Sequence, residues 1–342
     1  MDHPPHRREI PAAFVHAILR AYAVRALDCC PALHHAGIKP ADLAGGWVGL
    51  QPFEDLSEYA MRDLDDEAPG WFSRRLPWGS YGMLLRASLP SPDLSVALRR
   101  WCRHHNLLTE DIRVETGLDK GRAYVRIHQT TDLGQAQEFA LVSVLRNVHG
   151  ISCWLADSRI PIEQADFPFA RPDHHAAYDR MFGGRVTFGA GFAQIAFDAG
   201  YLALPVLRDD QALRQRLQAA IPLMARQYRQ DRLLSQRIQR LFERDASSMD
   251  MGRLAAELGI SPRSLQRHLQ DEGTSLIALK SRARARLAQE LLLRRDLPIK
   301  RVAHMVGYRS ESSFSRAFRS WTGLTPLEYR QGQPQQIVRK AS

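Results

Sequence analysis

The stretch that decides the reading is Met251-Gly252-Arg253-Leu254-Ala255-Ala256-Glu257-Leu258-Gly259-Ile260-Ser261-Pro262-Arg263-Ser264-Leu265-Gln266-Arg267-His268-Leu269. Leu254, Ala255 and Leu258 share one face of a short helix. Gly259 ends that helix in the left-handed conformation open to glycine. Ile260 plugs the turn, Ser261 caps a second helix, and Pro262 takes its first position, where a missing N–H costs nothing. The second helix buries Leu265 and Leu269 and leaves Arg263, Ser264, Gln266, Arg267 and Gln270 facing out. An apolar anchor behind a row of hydrogen-bonding side chains is what a helix needs to read base edges in a major groove.

The same pattern returns at Ile299–Phe318. Val302, Ala303 and Val306 point inward, Gly307 turns, Tyr308 plugs, Ser310 caps, and Phe314 and Phe318 anchor. Gly259 and Gly307 stand 48 residues apart, so one device occurs twice. Between the copies, Ser275–Arg295 reads as a helix of about 20 residues with Leu276, Leu279, Ala283, Leu287 and Leu291 apolar. At ~1.5 Å per residue it spans ~30 Å, close to the ~34 Å of one DNA turn. Such a spacer sets the two recognition helices into successive major grooves, so that one chain reads an asymmetric site.

Charge agrees with this. Residues 1–232 hold 27 Lys/Arg and 27 Asp/Glu, whereas residues 233–342 hold 20 against 10, which is the whole net charge of +10. A neutral front joined to a basic back suggests that the back meets a polyanion; charge alone equally fits a solubilising face or an anionic membrane, and the paired motif decides among them.

These residues carry a family resemblance. The chain resembles the AraC/XylS family of transcription regulators over about residues 234–330. The match rests on Leu254-Ala255, Gly259-Ile260-Ser261, Leu265-x-Arg267, Ala288-x-x-Leu291-Leu292, Val302-Ala303, Gly307-Tyr308, Phe314-x-Arg316-x-Phe318 and Gly323-Leu324-Thr325-Pro326-x-x-Tyr329-Arg330. It departs at Ala285, where the family usually has Leu. The resemblance implies base-facing roles for Arg263, Gln266 and Arg267, and for Glu311, Ser312, Ser315 and Arg316. Chemistry suits part of this: Arg263 and Arg267 to guanine, Gln266 to adenine, Glu311 to cytosine N4. Ser310 and Arg319 complete the candidate surface of the second unit. Arg282, Arg284, Arg319 and Lys300 are candidates for phosphate contact.

The front reads as mixed α and β. A helix is expected from about Pro11 to Leu27, loops from Ala44 to Gly70, and a helix after Ser91-Pro92-Asp93. Ile112–Glu115 and Ala123–Ile127 alternate on either side of Asp119-Lys120-Gly121 and form a hairpin. Helical spacing follows near 135–155, and extended pieces at Arg185–Phe188 and Phe192–Phe197. Tyr81-Gly82-x-Leu84-Leu85, Leu94-x-x-Ala97-Leu98-Arg99-Arg100, and Phe182-Gly183 through Val186-x-Phe188-Gly189 to Ile195-x-Phe197-Asp198 resemble the sensor domain of ornithine-utilisation-type regulators. That resemblance implies an α/β effector-binding fold rather than a jelly roll.

The expected organisation is therefore a flexible tail over 1–10, an α+β effector-binding and dimerisation domain over 11–207, a helical linker over 208–232, an all-α double helix-turn-helix domain over 233–332, and a tail over 333–342. Leu213, Leu217 and Ala220/Ile221 make a stripe suited to a dimer contact. The expected partners are promoter double-stranded DNA, a small-molecule effector, RNA polymerase and a second copy of the chain, with activation as the family's habit. The rival reading is a DNA-binding regulator without ligand, whose front only dimerises or contacts polymerase. An architectural DNA binder without sequence preference is a third.

Other chemistries find no footing. Adjacent histidines (His34-His35, His104-His105, His174-His175) diverge by ~100° on a helix and do not chelate from one face. Cys29, Cys30, Cys102 and Cys153 lack the spacing of a disulfide framework or a zinc cluster. No Gly-x-Ser-x-Gly, phosphate-cradling glycine loop or His-Glu-x-x-His occurs. The reading is not an enzyme, has no cofactor or metal, and carries no apolar run near membrane length and no signal peptide, so a cytoplasmic location is expected. Trp47, Phe53, Trp71, Phe72, Trp78 and Tyr81 are candidates either for core or for lining an apolar pocket; ligand-contacting residues are left open.

Overall fold

A short antiparallel pair starts the described chain. The computed structural model describes residues 9–217, 231–244, 250–272, 274–294 and 297–332. β1 (Glu9–Pro11), α1 (Ala12–Val24), α2 (Cys30–Ala36), α3 (Pro40–Ala44) and β2 (Trp47–Gly49) follow in order, and Ile10 pairs with Val48. The tail expected over 1–10 is thus corrected at its end: Glu9 and Ile10 are strand, and Ile10 is buried. Residues 1–8 and 333–342, the rest of the expected tails, lie outside the described residues.

The loops expected over Ala44–Gly70 give way to α4 (Leu50–Asp63). Phe53, Leu56, Ser57, Ala60 and Met61 are its buried side, a 3.6-residue stripe that Glu54, Asp55 and Glu58 interleave and disguise. Beyond it, two carboxylates organise the chain. Asp66 accepts the N–H groups of Ala68, Gly70 and Leu76 and pairs with Arg25 at 2.6 Å. Glu67 accepts those of Gly79 and Tyr81. This anchors α5 (Ser80–Ser88), also unforeseen, beside α6 (Leu94–His105). Asp93 caps α6 by accepting the Val96 N–H at 2.8 Å.

β3 (Ile112–Asp119) and β4 (Arg122–Gln129) form the hairpin read from sequence. Its two loop residues, Lys120 and Gly121, both have positive φ (48° and 78°), the backbone that matches the twist of the flanking strands. Then come α7 (Gln137–Ala156), β5 (Gln164–Phe167), α8 (Ala176–Phe182), β6 (Arg185–Phe188) and β7 (Ala193–Asp198). The sheet runs β3-β4-β7-β5-β6, antiparallel except for the β5–β6 pair. Val114, Val125, Ile127, Ile195, Phe197 and Phe167 belong to the buried core. Sixteen of the twenty α7 residues are buried. Contrary to the expectation about apolar runs, Gly134–Ala156 is apolar and long enough to cross a bilayer, but 89% of its apolar stretch is buried, the mark of a core helix.

The described part of the stripe read as a dimer contact is used inside the unit. On α9 (Asp210–Arg216) Leu213 is fully buried, and Leu217 lies against Gly82, where an added Cβ would meet it at 3.1 Å. Ala220 and Ile221 lie outside the described residues. The chain divides into two units, Met1–Gln230 and Asp231–Ser342. The second is all helix in its described residues: α10 (Leu234–Arg244), α11 (Met251–Glu257), α12 (Pro262–Asp271), α13 (Leu276–Leu293), α14 (Ile299–Met305), α15 (Glu311–Thr322) and α16 (Pro326–Gln331).

Candidate DNA-binding surface

Two small cores share one helix. Leu234, Ile238 and Phe242 from α10, Leu254 and Ala255 from α11, and Leu265 and Leu269 from α12 pack with Leu279 and Ala283 of α13. The other end of α13 gives Ala288, Leu291 and Leu292 to a second core with Val302, Ala303, Val306, Phe314 and Phe318. The linker is thus a strut buried at both ends. Its 18 residues span ~27 Å.

The turns of the two units match bond for bond. Ile260 N–H donates to Ala255 O at 3.0 Å, and Tyr308 N–H donates to Ala303 O at 2.9 Å. Gly259 and Gly307 have φ of 63° and 86°, a region where a Cβ is strained. Ser261 Oγ accepts the Ser264 N–H at 3.1 Å, and Ser310 Oγ accepts the Ser313 N–H at 3.2 Å. The second turn holds one residue more, Arg309, before its cap.

Aligned on these caps, the recognition helices α12 and α15 coincide position by position. Leu265 corresponds to Phe314 and Leu269 to Phe318, all four buried. On the outside, Arg263 corresponds to Ser312, Gln266 to Ser315, Arg267 to Arg316 and Gln270 to Arg319. At ~100° per residue, each set of four lies within an arc of about 100° facing away from its anchors. All are exposed except Ser315, which is half-buried.

Three sequence-chosen residues fall outside this arrangement. Ser264 is half-buried and takes a hydrogen bond from Ser261 Oγ at 2.9 Å. Ser310 gives its hydroxyl to the cap, with Ser313 Oγ at 2.9 Å. Glu311 is exposed in the first turn of α15 but falls off the arc. Of the phosphate candidates, Arg282, Lys300 and Arg319 are exposed. Arg284 differs from these: it is half-buried, its guanidinium lies 5.4 Å from the Tyr308 ring, and its Nε is sealed without a described partner. It braces the second turn, and a Cβ at Gly307 would meet its Nη2 at 3.4 Å.

The closing segment is a clamp. Thr325 and Glu328 form a reciprocal capping box at the start of α16. Backbone and side-chain donation from Thr325 holds the Glu328 carboxyl below its usual range. Tyr329 meets Phe318 edge-on at 5.4 Å, and Arg330 Nη2 donates to Leu297 O at 2.7 Å. The correspondence of Gln270 with Arg319 was legible in the sequence once the cap serines, rather than the glycines, were aligned.

A basic unit presenting two equivalent recognition helices on separate cores defines a DNA-binding transcription regulator of the double helix-turn-helix class. Residues 27–206 match the family described as arabinose-binding domain of AraC transcription regulator, N-term, and residues 254–332 match a helix-turn-helix domain. The chain belongs to the AraC family of transcription regulators, a family of regulators rather than enzymes. It is 28% identical over 326 residues to the ornithine utilization regulator of Pseudomonas aeruginosa, covering 94% of this chain and 96% of that protein. It is 25% identical over 323 residues to the HTH-type transcriptional regulator VirS of Mycobacterium tuberculosis, covering 90% and 89%. Among solved structures, the transcriptional regulator CdpR from Pseudomonas aeruginosa aligns over 94% of this chain and 98% of its own, at 21% identity and a TM-score of 0.33.

Proposed function

We propose that this regulator is a cytoplasmic, effector-controlled activator. Residues 11–207 act as sensor, 208–232 as linker and 233–332 as the DNA reader. The observation that carries the reading is the pair of equivalent outward arcs on α12 and α15, each backed by a buried core and joined by a helix of ~27 Å. Arg263, Gln266, Arg267 and Gln270 read one major groove, and Ser312, Ser315, Arg316 and Arg319 meet the next. Ser264, Ser310 and Glu311 shape the helix starts beside the DNA. A small molecule bound by the sensor shifts the equilibrium between arrangements that differ in DNA affinity or in contact with a second copy and RNA polymerase.

Selection of bound sites from random duplex DNA by the full-length protein tests the reading. Two short, unlike elements about one helical turn apart are expected; absence of any enriched motif overturns specific recognition. A reporter driven by the selected site, challenged with single nutrients, tests effector control without assuming where the effector binds. A reporter that no nutrient moves favours the reading in which the front only dimerises or contacts polymerase.

A further inference from the structure

α7 runs through the core of the N-terminal unit, yet it carries two buried polar atoms that no described residue hydrogen-bonds. Arg146 is 6% exposed and Asn147 4%. Arg146 Nη1 donates to Met181 O at 2.5 Å and lies 3.4 Å from His149 Nδ1. His149 Nε2 donates to Ile160 O at 2.7 Å, which leaves Nδ1 to accept. Arg146 Nε is sealed without a partner, and so is Asn147 Oδ1. None of the carboxylates in the described ion pairs belongs to Arg146. It caps the last turn of α8, whose carbonyl end favours a cation, and its guanidinium lies 5.6 Å from the Phe182 ring; both are partial compensation and neither is a full counter-charge. A buried guanidinium without counter-charge is costly; burial pulls its pKa down to about 10 and still leaves it cationic at neutral pH.

Helical spacing puts Phe139, Ser143, Arg146 and Asn147 within an arc of about 100° on α7. At the start of that arc the Phe139 ring meets Trp71 at 5.3 Å. Ring contacts continue from Trp71 to Phe72, His105, Trp101 and Tyr81. Along this run Trp71 Nε1, Trp101 Nε1 and His105 Nδ1 are also sealed without partners. Buried polar atoms are nearly always satisfied, and each exception calls for an account. Here the unmet N–H donors, two indoles and a guanidinium, call for acceptor oxygens, and the cation asks that they be negative, while Asn147 Oδ1 calls for a donor.

We infer that this face of α7 is the effector site, and that its ligand is a small carboxylic acid with an apolar or aromatic body. Arg146 takes the carboxylate, and the body lies along Phe139 and Trp71. The inference rests on the effector-controlled reading above and supplies the ligand class and the residue that selects it. Binding then supplies a carboxylate, which no described ion pair gives Arg146, and thereby stabilises the bound arrangement of the unit.

Matched acid–amide pairs test this in the full-length protein by thermal shift and calorimetry: benzoate against benzamide, hexanoate against hexanamide, and indole-3-acetate against indole-3-acetamide, at millimolar concentration. Each pair has one shape and differs in charge. At least one acid is expected to raise Tm by about 2 °C or more while its amide does not, and Arg146→Gln to weaken that acid at least about tenfold. Equal shifts by acid and amide overturn the carboxylate claim while leaving effector control standing. A shift that survives Arg146→Gln overturns the site. No shift by any acid overturns the ligand class, and the nutrient reporter then judges effector control by itself. The acid–amide comparison uses the wild-type protein, so it stands even where Arg146→Gln fails to fold.

Discussion

Arg267 and Arg316 hold the same place in the two recognition helices: each stands six residues after its capping serine and two after its first buried anchor, Leu265 or Phe314. The equivalence comes from the shared turn, cap and anchor spacing, and it gives both halves of the DNA-binding unit an arginine aimed outward at the same angle.

Arg267→Ala and Arg316→Ala are each expected to weaken binding to a selected site by about 1–3 kcal/mol and to relax one base position in their own half of that site. Because the two arginines sit on separate cores, their effects are expected to add. Fluorescence anisotropy with matched and single-base-changed duplexes measures both; an arginine whose loss costs the same on every duplex is a phosphate contact instead.

Ser310→Ala removes the cap of α15. It is expected to lower the stability of the protein by about 1 kcal/mol, read by urea denaturation, and to leave base preference unchanged. Ser264→Ala, off the outward arc, is likewise expected to leave the selected motif as it was. A changed motif in either variant makes that serine a base contact.

Arg284 and Lys300 are expected to separate in a salt titration. Lys300→Ala weakens all sequences alike and reduces the slope of log K against log salt by about 1. Arg284→Ala removes the brace against Tyr308, so it lowers stability and leaves the slope in place. A reduced slope for Arg284→Ala returns it to the phosphate contacts.

His105 is fully buried against Trp101, and burial lowers its pKa from 6.5 to about 4. The unfolded chain protonates this ring near pH 6.5 while the folded chain keeps it neutral until about pH 4. The stability tied to the neutral ring is therefore complete above pH 6.5 and is lost as pH falls toward 4. Over that interval wild type is expected to lose about 3 kcal/mol more than His105→Phe, measured by denaturation at each pH. Parallel curves for the two proteins show that the ring titrates normally.

The DNA-binding half is largely legible in the sequence. Gly259 and Gly307, the capping serines, and the anchor pairs Leu265–Leu269 and Phe314–Phe318 act within one or two helical turns, so their spacing is their structure. In the front, the hairpin was legible for the same reason, since its pairing closes over Lys120-Gly121. α4 was not, because acidic residues hide its apolar stripe, and Asp66 and Glu67 showed their roles only as acceptors for backbone groups up to fourteen residues away.

By itself, then, the sequence determined a basic domain with two capped recognition helices and a mixed front. All of these rest on hydrogen bonds and side-chain periodicities that a short segment satisfies alone. Tertiary structure decided where β7 inserts between β4 and β5, that Arg284 turns inward onto Tyr308, and that Arg146 lies buried with no carboxylate paired to it among the described residues. Those outcomes depend on which distant elements meet, and a charge, unlike a cap or a turn, takes its meaning from whatever is brought beside it.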